Sequence, residues 1–128
     1  MIKAFNPKSI PAPSGSYIHG IEVPPNARIL FIAGQTPGRD DGSVPENFEE
    51  QCEVVWARIG KILAEVGMDY SNLVKVTTFV TKQENVAKTS AIRKRILGDS
   101  RPTATLLCIS GLADPRYGVE IEAIAAKE

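Results

Sequence analysis

The stretches RILFIAG (Arg28–Gly34) and ATLLCIS (Ala104–Ser110) are apolar on both of their period-two faces. In the first, Ile29, Phe31 and Ala33 alternate with Leu30 and Ile32; in the second, Leu106 and Cys108 alternate with Leu107 and Ile109. Burying one Leu-sized side chain is worth about 1.5–3 kcal/mol, so a sheet built from such strands needs cover on both sides. Helical spacing occurs only twice. Asn47 and Glu50 stand at the N-cap and N3 positions of a capping box. Behind them Cys52, Val55, Trp56, Ile59, Ile62, Leu63 and Val66 recur at helical intervals, Glu53, Lys61 and Glu65 take the opposite face, and Gly67 supplies the stop. The second helical pattern, Glu84–Gly98, has a thinner apolar face, and its Arg93-Lys94-Arg95 run reads as solvated surface.

Between these lie further strands. Tyr17–Val23 alternates, turns at Pro24-Pro25-Asn26, and pairs with Arg28–Gly34 as an expected hairpin. Asn72–Thr81 is β-branched and aromatic, and Val119–Ala125 closes the chain after the turn-rich GLADPRYG. Asn6–Ser16 reads as an extended lead-in and Gln35–Glu46 as a loop. The expected order is β-β-α-β-α-β-β, an α+β domain over residues 1–128 with one sheet and two helices on one face. Two helices cover one face only. The other is expected to be shielded by further copies of the same chain, a homo-oligomer; the competing reading is a monomer that leaves an apolar face open.

Composition narrows the function. Lys and Arg number 15 against 15 Asp and Glu, which removes the long-range pull of a nucleic-acid or anionic-membrane binder. No apolar run reaches membrane-span length, and MIKAFNPKSI lacks an export signal, so the expected compartment is the cytoplasm. Cys52 and Cys108 fit no metal or redox spacing and read as reduced, packed thiols. A single histidine, His19, has no acidic or thiol cluster beside it, and no metal is expected.

The segments SGSYIHGIEV, LFIAGQTP, EEQ, LVKVTTFV, RPTAT and VEIEAIA occur in an order and at distances that resemble the RidA/YjgF family, the reactive intermediate deaminases. That resemblance runs from about Ser14 to Ala125. It implies a chorismate-mutase-like fold, a homotrimer with the sheets as a central barrel, and a ligand cleft between neighbouring subunits. It further implies cofactor-independent hydrolysis of enamines or imines of 2-amino acids to 2-keto acids and ammonia. In the family an arginine at the start of the penultimate strand holds the substrate carboxylate. With Pro102 aligned to the family's proline, Ala104 stands in the arginine's place and Thr105 in that of the small hydroxyl residue after it, while Ser90 takes the place of an asparagine.

Carried over by the resemblance are Tyr17, the Gly34-Gln35 pair and Glu120. Glu120 is the candidate acid, base or water-positioning group, the alternative being a solvated strand-face carboxylate. Tyr17 offers a hydroxyl over a ligand or is simply a half-buried aromatic. Backbone amides near Gly34 and Leu106, with the Thr105 hydroxyl, complete the expected substrate-binding set. Arg101 and Arg116 are the loop cations that could stand in for the missing arginine, Arg116 preferred because its loop feeds the Glu120 strand. Two readings follow: a small-molecule hydrolase, or a trimer that binds a small carboxylated or neutral metabolite without turning it over. Some family members are described as endoribonucleases; the neutral charge balance and the lack of an aromatic-plus-basic stripe place that third.

Overall fold

The computed structural model describes residues 1–128. Eight elements succeed one another: β1 (Lys3–Phe5), β2 (Gly20–Glu22), β3 (Arg28–Gln35), α1 (Phe48–Glu65), β4 (Leu73–Val80), α2 (Val86–Leu97), β5 (Thr103–Cys108) and β6 (Val119–Lys127). The main sheet has the order β3-β6-β4-β5. β6 runs antiparallel to both β3 and β4, whereas β4 and β5 are parallel and joined by the α2 crossover.

The α1 boundaries follow from its caps. The Asn47 side chain accepts from the Glu50 N–H at 3.0 Å, and Gly67 takes φ +72° where the chain leaves the helix. Cys52, Val55, Trp56, Ile59 and Leu63 then form one buried stripe. They meet Ile32 of β3, Val76 and Val80 of β4, and Val119, Ile121, Ala123 and Ala125 of β6, with Ile92 and Leu97 closing the core from α2. Residues paired across neighbouring strands share a face. Val76, Ala104 and Ala123 therefore stand in one row beneath the helices, and Phe79 and Glu120 on the opposite side.

That opposite side is uncovered within the chain. Phe31 is 75% exposed, Ile29 54% and Leu107 40%. A hollow of about 370 Å³ opens there among Phe31, Ala33, Lys75, Thr77, Glu122 and Ile124. The unmet apolar face expected from the two-sided strands is thus present.

Three expectations are corrected. The hairpin of Tyr17–Val23 with Arg28–Gly34 does not form: β2 pairs instead with the short N-terminal strand β1, and β3 pairs with β6. Instead of one sheet there are two, the smaller holding only β1 and β2. The physical reason is length: β3, with 8 residues, finds in the 9-residue β6 a partner for its whole ladder, whereas β2 offers only 3 residues. Meanwhile, the ring of Phe5 covers Gly20 across the small sheet. Second, Cys108 is exposed at the end of β5, not packed; both cysteines are free, and Cys52 is buried. Third, Arg93 belongs to the buried side of α2 and not to its solvated face.

Candidate functional site

At the β5 edge of the sheet, the chain before β2 folds back over the start of β5. The Ile18 N–H donates to the Pro102 carbonyl at 3.1 Å, and the Tyr17 N–H to Gly15 at 2.9 Å. The Tyr17 ring meets His19 edge to face, centroids 5.7 Å apart, and His19 Nε2 lies 2.8 Å from the Pro11 carbonyl oxygen. Tyr17 is thereby fixed at the mouth of a cavity of about 470 Å³ whose other walls are Ser90 and Arg93 of α2 and Ala104 and Leu106 of β5. Four of the residues singled out by sequence, Tyr17, Ser90, Ala104 and Leu106, come together here.

A second group forms on the other face. β3 carries one extra residue between Ile32 and Gln35 relative to β6, a bulge of the kind that re-aims side chains. Gly34 lies in that bulge, and a Cβ there would collide with the Glu120 carboxylate. Glycine at this position is what lets the carboxylate lie across β3. Glu120 is half-buried between the fully buried Val119 and Ile121.

The start of β6 is set by Gln51, buried in α1. Its Nε2 donates to the carbonyls of Pro45 (2.8 Å) and Arg116 (2.9 Å), and its Oε1 accepts from the Gly118 N–H at 2.7 Å. Two loops and the strand carrying Glu120 are thus tied to one helix turn. Gln35, the partner of Gly34 in the sequence reading, points toward the helices. Its Oε1 accepts from Arg58 Nε at 3.0 Å and its Nε2 donates to the Ala33 carbonyl, so both ends of its amide are already engaged.

Thr105 pairs with Thr77 on the open face and is exposed. Neither loop cation reaches Ala104. Arg116 is held by Asp114 through Nε at 3.1 Å and a terminal nitrogen at 2.8 Å. That pair pulls the Asp114 carboxyl down to about 2 through hydrogen bonds from the Arg116 side chain and backbone. Arg101 donates to the carbonyls of Gly98 (2.7 Å) and Ser100 (3.1 Å). The buried cation in the Ala104 cavity is Arg93, which the sequence reading assigned to solvent; the exposed Lys94 also lines it. A signal was available: Val86, Thr89, Arg93 and Leu97 fall at i, i+3, i+7 and i+11, one stripe of α2.

With the geometry in view, the relatives are informative. The family model described as Endoribonuclease L-PSP matches residues 7–127. A RutC family protein of Pyrococcus abyssi is 32% identical over 120 residues, covering 92% of this chain and 91% of its own. The crystal structure of YyfB, a Rid family protein of unknown function from Yersinia pestis, superposes with a TM-score of 0.85 at 26% identity, covering 98% of both chains. TdcF of Escherichia coli, whose name assigns it provisionally to the reactive intermediate deaminases, is 24% identical over 130 residues, covering 99% of this chain and 98% of its own. Its crystal structure with bound serine has the same fold, with a TM-score of 0.74 over 98% of this chain and 99% of that one. The order of segments, the mixed sheet with two helices, and the match along nearly the whole chain agree: this protein is a member of the RidA/YjgF family.

Proposed function

We propose that this chain acts as a homotrimer whose intersubunit clefts take a small metabolite and hydrolyse its enamine or imine to a 2-keto acid and ammonia. The observation that carries the reading is the division of the candidate residues between the two faces of one sheet. Tyr17, Ala104 and Leu106 line a cavity on the helix side, while Glu120 and Gly34 meet on the open side. One chain holds two half-sites, and a neighbour docking on the open apolar face brings the complementary halves together. The bound serine in TdcF supports a ligand of amino-acid size.

In this mechanism the imine carbon, C=NH, is attacked by a water that Glu120 orients and deprotonates. The C–O bond forms, the π pair moves to nitrogen, and the resulting carbinolamine collapses to the ketone. Nitrogen takes the first proton through Glu120 as the carbinolamine forms; the carbinolamine hydroxyl then yields its proton, nitrogen takes that second proton, and the C–N bond breaks to release ammonia. Backbone amides near Gly34 and Leu106, the Tyr17 hydroxyl and the Thr105 hydroxyl are the groups proposed to hold the substrate. Gln35 contributes indirectly, by fixing the end of β3 through Arg58.

The test couples the protein to a dehydratase that releases 2-aminoacrylate and follows pyruvate. Wild type accelerates the conversion, and Glu120→Gln loses about 10²-fold of that acceleration. A second reading, binding without turnover, is favoured by Ala104 standing where family deaminases carry their arginine. It predicts no acceleration in the same assay together with saturable binding of a small acid.

A further inference from the structure

Ten residues line the cavity beside Ala104, and none is acidic; its charged members are Arg93 and Lys94. Arg93 is only 6% exposed. Its Nε is closed off from solvent without a hydrogen-bond partner, and the four ion pairs of the chain all lie elsewhere. Burial, and then the nearby Arg101 cation, push the Arg93 guanidinium below its ordinary value, with Tyr17 acting the other way. Such a group remains charged and still has its planar fork of donors to satisfy. A desolvated cation without a counter-charge destabilises the empty fold, so its retention calls for something that uses it.

We propose that Arg93 is the anion anchor of this cavity, its guanidinium gripping the carboxylate of a small ligand whose body rests on Ala104, Leu106 and the Tyr17 ring. One buried guanidinium matches one planar monoanion in charge and in two-pronged hydrogen-bonding geometry. Presenting the cation from α2 instead of from β5 leaves the space above Ala104 to the ligand's own side chain. The small side chains of Ser90 and Ala91 on the same wall keep that space open. The inference rests on reading this cavity as half of the ligand cleft, and it adds the residue that selects acids over neutral molecules.

The experiment measures equilibrium binding of 2-oxobutyrate and of its uncharged amide to wild type, Arg93→Met and Arg93→Lys, with the melting temperature of each protein without ligand. Wild type should prefer the acid. Arg93→Met should lose about tenfold or more in affinity for the acid and none for the amide. Arg93→Lys should fall between, because an ammonium cannot grip two oxygens in one plane. Without ligand, Arg93→Met should melt at or above wild type, since it removes an uncompensated buried charge.

Unchanged acid binding in a folded Arg93→Met protein would overturn the proposal. So would a melting temperature well below wild type, which would mean the guanidinium has a structural partner. Failure of wild type to bind either probe removes the cleft reading and the anchor with it. Arg93-dependent acid binding without 2-aminoacrylate turnover leaves the anchor standing and removes only the catalysis.

Discussion

Gly34 and Cys52 each take their character from what lies within a few ångströms. Any side chain at Gly34 must displace the Glu120 carboxylate. Gly34→Ala is therefore expected to cost less than about 1 kcal/mol of stability, because the flexible Glu120 side chain can swing aside, and to remove whatever turnover depends on its position while circular dichroism still reports the fold. Cys52 is buried, and burial first, then Glu49 and Glu53, push its thiol up to about 12 from an ordinary value of 9.0. Below pH 9 it is protonated in both the folded and unfolded chains and contributes no pH dependence. Above pH 9 the unfolded chain releases the proton and the folded one holds it, so stability falls as pH rises toward 12. Cys52→Ala should flatten that alkaline decline, which amounts to about 1 kcal/mol per pH unit, in denaturant unfolding at pH 8 and pH 10.5. A thiol reagent at neutral pH should leave Cys52 untouched until the chain is unfolded. At this scale Glu120 was singled out by the family resemblance; periodicity added only that it lies on the strand face opposite Val119 and Ile121, which are buried. Arg93 was not, because a run of three cations looks solvated until the turn of the helix separates its members.

At the scale of elements, α1 was the most legible part of the chain, since cap, stripe and stop agree with one another. Asn47→Ala removes the bond to the Glu50 N–H and should cost about 1 kcal/mol in chemical unfolding. Gln51 is more consequential. Its replacement by Leu would strand the Gly118 N–H and the carbonyls of Pro45 and Arg116. A loss of about 2–4 kcal/mol is expected, with faster hydrogen exchange at Gly118 as the local readout. The strand partners were less legible. Alternation identifies a strand but says nothing about which neighbour it joins, and proximity in sequence wrongly favoured the β2–β3 hairpin. β3 took β6 because β6 is long enough to pair along its whole length. β2, short and flanked by Pro24 and Pro25, found a partner in the Lys3–Phe5 segment, whose three residues are too few to register as a periodic pattern.

For the whole molecule, the two-sided strands predicted an unmet apolar face, and Phe31, Ile29 and Leu107 lie open on it. Sedimentation of wild type is expected to give about three times the chain mass of 13.9 kDa. A charge at the most exposed of these, Phe31→Asp, should leave a folded single chain that has lost turnover, although every residue of both half-sites remains in place. No helix of the chain is long and apolar enough to cross a membrane. The separation of Glu120 and Arg93 onto opposite sides of the sheet has a genetic consequence. Two strains, one carrying Glu120→Gln and the other Arg93→Met, should each turn over more slowly than wild type at limiting substrate. Co-expressed, they should complement, because mixed assemblies contain some seams where an intact glutamate from one chain faces an intact arginine from the next.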